Sequence, residues 1–284
     1  MDVVLDVGQW EAEERPHEHE FGRRSSSSGS RRVSREYRRP TIEEVALPRS
    51  ADVRLVARHR DVYEPCDDSF ALVDALMADQ AHLRELDPKL CVEVGSGSGF
   101  VITSLALMIG DQGSTRFLAT DLNPTAAEAT RETLAAHGVE AETVVTDLLD
   151  GLEKHLEKSV DVLLFNPPYV PTEEEDVGGP GAMAAWAGGD RGRTVIDRFL
   201  PLVDGLLSPD GWLYMVTLTT NDPQEICRIM KKQGFASRIV IQRQTEEESL
   251  QVIKFWRDPA ESEKSKEERT FGSLSLKRLA FWRS

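Results

Sequence analysis

Asn166-Pro167-Pro168-Tyr169 follows directly on the apolar run Asp161-Val162-Leu163-Leu164-Phe165. These residue types suit alkylation of a planar nitrogen. Such a nitrogen is a poor nucleophile because its lone pair is delocalised, so an enzyme must grip both N–H hydrogens and aim the nitrogen at an electrophilic carbon. An Asn side-chain carbonyl beside a proline backbone carbonyl supplies two fixed acceptors for those hydrogens. Proline stiffens the turn and brings no N–H to compete, and the Tyr ring offers a flat wall for a planar substrate. Taken alone, the same four residues also read as a proline-stiffened turn ending a strand.

The elements that would position this tetrapeptide lie upstream. Leu90-Cys91-Val92-Glu93-Val94 reads as a buried strand running into Gly95-Ser96-Gly97-Ser98-Gly99, and an apolar helical stretch follows from Phe100 to Ile109. Glycines at a strand-to-helix turn allow close backbone approach to a ligand and point N–H groups at it. The spacing is G-x-G-x-G, and the glycine that a dinucleotide fingerprint requires at position 100 is Phe100, which argues against a nicotinamide cofactor. A second strand, Arg116 to Thr120, ends in Asp121, suited to ribose hydroxyls. A third, Glu142 to Thr146, ends in Asp147, suited to an adenine amino group. The fourth ends in Asn-Pro-Pro-Tyr. Either acid could instead cap a following helix, but acids in register after successive strands match the ligand-binding edge of an open α/β sheet.

Glu93 to Gly99, Asp121, Asp147 and Asn-Pro-Pro-Tyr together resemble the motif series of class I S-adenosylmethionine-dependent methyltransferases. More narrowly, the chain resembles the HemK family, which methylates the glutamine of the Gly-Gly-Gln loop in translation termination (release) factors. Val62 to Phe70 is similar to the lead-in of the eukaryotic and archaeal branch, and Ala184 to Gly192 to the family's segment after the tetrapeptide. The likeness covers about residues 58 to 257. Cys66-Asp67 is a departure, standing where relatives often carry Ala-Glu.

The resemblance implies S-adenosylmethionine as cofactor. Gly95, Gly97 and Glu93 would flank its methionine and ribose parts, Asp121 the ribose hydroxyls, and Asp147 with Leu148 the adenine, while Ser69 and Tyr63 would close the entrance. Asn166 and Pro167 would take the two amide hydrogens, with Pro168 and Tyr169 completing the substrate wall. Asp67, Asp68 and Ser69 also read as helix caps, and of the three only Ser69 is assigned to the site. The branch resembled works as a heterodimer with a small zinc-binding activator, which implies a partner along the strand at 140–146.

Composition narrows the partners. The formal net charge is −15, and residues 61–257 carry 16 Lys and Arg against 33 Asp and Glu. An acidic domain repels nucleic-acid phosphate and attracts basic protein segments; Glu173-Glu174-Glu175-Asp176, just past the tetrapeptide, are candidates for docking one. Competing readings are a lysine methyltransferase acting on a histone tail, an adenine-N6 nucleic-acid methyltransferase, and a non-catalytic cofactor-binding module. The three cysteines have no metal-ligand or disulfide spacing, so no metal site is expected and the compartment is a reducing one. No apolar run has the length of a membrane span. A cytoplasmic location is expected, with the nucleus as a second address offered by the Arg/Ser patch.

Three stretches follow: an Arg/Ser-rich N-terminal extension over 1–57 with a composition that cannot offset ordering entropy, a methyltransferase domain over 58–257, and a charged tail over 258–284 whose segment from Phe271 to Trp282 could form a short helix. Within the domain, apolar periodicity predicts one helix from Asp67 through Leu86 and others at 124–137, 194–207 and 223–233. A fifth strand is expected at 211–218, and a closing hairpin from 238–242 and 250–256. This alternation predicts an α/β fold with a twisted, mostly parallel sheet and helices on both faces. The resemblance makes it the seven-stranded, doubly wound, Rossmann-like sheet of class I methyltransferases with its last strand antiparallel.

Overall fold

A computed structural model describes residues 50–110, 115–179, 181–244 and 249–258. The Arg/Ser patch at 22–39 and the segment from Phe271 to Trp282 lie outside the described residues. Seven strands form one sheet: β1 (Leu90–Val94), β2 (Arg116–Asp121), β3 (Glu142–Val145), β4 (Val160–Phe165), β5 (Leu207–Leu218), β6 (Phe235–Gln244) and β7 (Ser249–Arg257). Their order is β3-β2-β1-β4-β5-β7-β6. The first five are parallel, and β7 runs antiparallel to both β5 and β6. The sheet reverses its winding between β1 and β4, which is where an open α/β sheet offers a crevice.

The period of two along each strand sorts the core into two layers. Cys91, Val162, Leu164, Tyr214 and Val216 pack under α1 (Asp67–Ala78), α2 (Gln80–Leu86), α3 (Phe100–Ile109) and α4 (Pro124–Ala136). Val92, Val94, Leu163, Phe165, Leu213 and Met215 pack against α5 (Thr194–Leu206) and α6 (Pro223–Lys232) on the other face. Glu93 has the parity of Cys91, so its carboxyl is forced into the buried layer beneath the start of α3.

Several boundaries differ from expectation, among them β6, which spans Phe235–Gln244 rather than 238–242. The single helix expected from Asp67 to Leu86 is broken at Asp79 (φ −98°, ψ 9°). The buried Asp79 carboxylate there accepts from Tyr214 Oη (2.8 Å), Lys254 Nζ (2.9 Å) and Arg238 Nη2 (2.8 Å). The fifth strand begins at Leu207 rather than Gly211, because Leu207 pairs with Val160 ahead of a bulge in β5 that accommodates Pro209. Finally, part of the extension expected over 1–57 is packed. Ala51 and Val56 are buried, and the Ala51 and Ala57 N–H groups donate to Ser104 Oγ and Thr133 Oγ1, both at 3.0 Å. That contact hangs the 50–57 segment on α3 and α4. Among the described residues no helix is long and apolar enough to cross a membrane.

Candidate active site

A cavity of about 350 Å³ opens at the carboxyl ends of β1 to β4. Gly95, Gly97 and Gly99 all have positive φ (68°, 55° and 76°), so the loop after β1 alternates in a way side-chain-bearing residues resist. The turn is tied to the next strand through Asp121. Its Oδ2 accepts the Gly97 N–H and its Oδ1 the Asn123 N–H, both at 2.8 Å. Capping of α4 falls to Asn123 instead, whose side chain accepts from Thr125 N. Glu93 Oε2 accepts the Ile102 N–H (2.9 Å) in the first turn of α3. Burial pushes the Glu93 carboxyl well above the usual carboxylate range, and the nearby Asp121 carboxylate pushes the same way. Asp121 is likewise raised by burial, against the pull of its backbone donors.

At the tip of β4, Asn166 Nδ2 donates to Asp68 Oδ2 (3.1 Å), and Tyr169 Oη donates to the same oxygen (2.9 Å). The other oxygen of Asp68 accepts from Ser69 N (2.6 Å) and Ser69 Oγ (3.1 Å). A carboxylate only accepts, so it fixes which end of the Asn166 amide faces it. Asn166 Oδ1 is left buried with no hydrogen-bond partner, a state that costs about 1–3 kcal/mol for a polar group sealed from water. Such an orphaned acceptor in a cavity wall marks a place where a ligand N–H belongs. Pro168 lines the cavity with Asn166, whereas Pro167 is buried and neither it nor Tyr169, both expected in the substrate wall, is among the lining residues. Burial and the Asp68 carboxylate hold the Tyr169 phenol above its ordinary value, so it serves as a neutral donor.

The tetrapeptide is clamped from behind. The fully buried Asn221 donates to the carbonyls of Tyr169 (2.8 Å) and Arg191 (2.9 Å) and accepts from Leu218 N (2.7 Å). A Cβ at Gly192 (φ 65°) would fall on the Tyr169 carbonyl oxygen, so only glycine lets these two backbones meet. The intervening loop is stapled at its ends by Val170 N–H to Trp186 O (3.0 Å) and Gly188 N–H to Val170 O (2.8 Å). Through Val177, Gly178, Ala184 and Ala185 it walls the cavity. Of the four acids expected to dock a basic segment, Glu174 is committed to this loop: its Oε1 accepts Asp190 N (2.9 Å) and Thr194 Oγ1 (2.8 Å). Those two donors hold its carboxyl below the usual range.

Ser69, Glu93, Gly95, Gly97, Asp121, Asp147, Leu148, Asn166 and Tyr63 therefore share one cavity, drawn from five places in the chain. No helix follows Asp147, so capping does not explain it; its carboxylate instead meets Arg198 Nη2 at 2.7 Å. Sequence reasoning missed Asp68, Asn221 and Arg198. Asp68 resembles an ordinary helix-start acid, and its partners lie 98 and 101 residues away.

Comparison with known proteins agrees with this geometry. Residues 66–180 match the Methyltransferase small domain. The human protein Methyltransferase HEMK2 is 50% identical over 195 residues, covering 69% of this chain and 89% of that protein. The chain belongs to the HemK family of methyltransferases. The fission yeast eRF1 methyltransferase catalytic subunit mtq2 is 35% identical over 226 residues, covering 75% of this chain and 96% of its own. Mtq2 in the E. cuniculi Mtq2–Trm112 complex superposes with a TM-score of 0.50 at 30% identity, covering 70% of this chain and 99% of that one.

The family's cofactor is S-adenosylmethionine, and the cavity suits it. Burial holds the carboxyls of Glu93 and the half-buried Asp121 above their ordinary range, and among the described residues no cation pairs with either. Asn166 Oδ1 lacks a donor. Such a wall is short of positive charge and of N–H and O–H donors. A ligand carrying an ammonium, a sulfonium and ribose hydroxyls supplies both.

Proposed function

We propose that this enzyme methylates the side-chain amide nitrogen of the glutamine in the Gly-Gly-Gln loop of a translation termination factor. The observation carrying this reading is the orphaned Asn166 Oδ1 at the strand tip, left without a partner while Asp68 engages Nδ2. The names of relatives agree. The fission yeast protein is called an eRF1 methyltransferase, and a Koribacter versatilis protein, 33% identical over 129 residues, a release factor glutamine methyltransferase.

When bound, S-adenosylmethionine supplies a methyl group already activated by a sulfonium. Glu93, Gly95, Gly97, Asp121, Asp147 and Leu148 are the residues that would hold it, with Ser69 and Tyr63 at the entrance. Asn166 Oδ1 accepts one amide hydrogen of the substrate and the Pro167 carbonyl the other, which turns the nitrogen's out-of-plane density toward the reacting carbon. Asp68 keeps Asn166 from presenting its own NH2 instead. Tyr169, neutral and tied to Asp68, braces that carboxylate rather than acting as a base. Positioning is the protein's main contribution, and the amide proton, made acidic by alkylation, leaves without a dedicated base.

Labelled methyl transfer to a release factor, its Gln→Ala variant, a histone peptide and duplex DNA tests the assignment. Transfer is expected to the first alone; equal labelling of the Gln→Ala variant would sink it. Asn166→Ala is expected to lower kcat by about 100- to 1,000-fold, as loss of a transition-state hydrogen bond does. Its affinity for S-adenosylhomocysteine should stay within about threefold, because the lost contact is made to substrate.

The edge strand β3 offers a seat for a small zinc-binding activator subunit. Among the described residues it pairs only with β2, and Val145 is 48% exposed. An open edge bearing apolar side chains invites coverage, and the E. cuniculi relative was solved with a second subunit, Trm112.

A further inference from the structure

Arg198 has no role in the reading above, yet it sits in the cavity wall. Val195 and Arg198 lie three apart on α5 and both line the cavity, so one face of this helix closes the end at which Asp147 stands. The backbone around Asp147 is already fixed. Thr146 N–H donates to Asp121 O (3.0 Å), and Leu148 O accepts from Thr120 Oγ1 (2.8 Å), with Leu148 itself in the left-handed region (φ 50°). Only the Asp147 side chain keeps rotational freedom, and Arg198 Nη2 takes it by holding Oδ2 at 2.7 Å. The two side chains are 48% and 38% exposed. A lone pair so wetted contributes about 0–1 kcal/mol to stability, too little to explain it as a staple for the fold.

We propose that Arg198 is a positioning residue for recognition of the cofactor's base: by pinning Oδ2 of Asp147 it presents Oδ1 to an exocyclic amino group. This rests on the assignment of the cavity to S-adenosylmethionine. A purine with a 6-amino group offers an N–H to that oxygen, whereas a 6-oxo purine sets a carbonyl against a carboxylate. Arg198 is thus a determinant of adenine over hypoxanthine.

Calorimetric titration of the full chain with S-adenosylhomocysteine and with S-inosylhomocysteine tests this. The unmodified protein should prefer the adenine ligand by about tenfold or more, the worth of one hydrogen bond to a charged group. In Arg198→Gln the adenine ligand should weaken about fivefold and the inosine ligand barely change, so that the preference collapses; Arg198→Lys should restore part of it. In an Asp147→Ala background, Arg198→Gln should add nothing further. An undiminished preference in Arg198→Gln, or equal weakening of both ligands, overturns the proposal. Failure of the unmodified protein to bind either ligand overturns the cofactor assignment instead.

Discussion

Asn166 has two ends, and the protein satisfies one of them. Asp68 accepts from Nδ2 and from the Tyr169 hydroxyl on a single oxygen, so deleting that carboxylate frees the amide to turn over. Asp68→Ala should lower kcat by about 10- to 100-fold while S-adenosylhomocysteine binds nearly as before, a split that steady-state kinetics and titration read directly. Glu93 poses the opposite problem, since its burial favours the neutral form. A carboxyl held above its unfolded value (about 4.3) binds its proton more tightly in the native state. Its contribution therefore favours folding as pH falls, and penalises folding increasingly from pH ~4.3 upward until the raised native value is passed. Glu93→Gln keeps an acceptor for the Ile102 N–H and removes that penalty. Melting of the ligand-free protein should rise in this variant by a few degrees, more at pH 8 than at pH 4, while affinity for S-adenosylmethionine falls. A lower melting temperature at pH 8 would contradict the assignment.

At the scale of elements, the break between α1 and α2 and the antiparallel end of the sheet are one device. Asp79 ends α1 and holds Tyr214 on β5, Lys254 on β7 and Arg238 on β6, while Lys254 Nζ also lies 3.2 Å from the centre of the Trp212 ring. Burial draws Lys254 below its ordinary value although Asp79 pulls it up, and the surrounding donors outweigh burial to hold Asp79 low. Removing one member of a buried pair strands the other, so Lys254→Ala should cost about 3 kcal/mol in urea denaturation. Because the Asp79 value is depressed, its contribution is present above pH ~3.9, the unfolded carboxyl's range, and is lost as pH falls through the native value. Asp79→Asn should accordingly show a flatter acid limb than the unmodified chain.

For the whole molecule, the proposed partners rest on an acidic composition and on the β3 edge of the sheet. Val145→Lys places a charge on the β3 edge, which is a common defence against strand pairing. Co-purification with the small subunit should be lost in this variant, as size-exclusion chromatography reports, while the melting temperature of the isolated chain moves by less than about 2 °C, as for a surface substitution. Retained association would move the interface elsewhere. The balance of 16 cationic against 33 anionic side chains over residues 61–257 should also make the KM for a basic protein substrate rise with ionic strength while kcat holds.

Much of this architecture is written locally. Apolar runs of strand length, each closed by Glu93 with its glycines, by Asp121, by Asp147 or by Asn166, are contiguous stretches, and their order along the chain suffices to line them up at one edge of a parallel sheet. The glycine turn and the starts of the helices at Pro124, Thr194 and Pro223 were legible for the same reason: each depends on neighbours a few residues apart. What the sequence could not disclose are the side-chain pairs that span the chain. Asp68 reads as a helix cap until Asn166 and Tyr169 arrive from a distant strand, Asp79 reads as a helical residue until three strands bring it partners, and Arg198 reads as a solvated helix residue until β3 delivers Asp147. Periodicity carries which face a residue occupies, whereas only packing decides what it meets there.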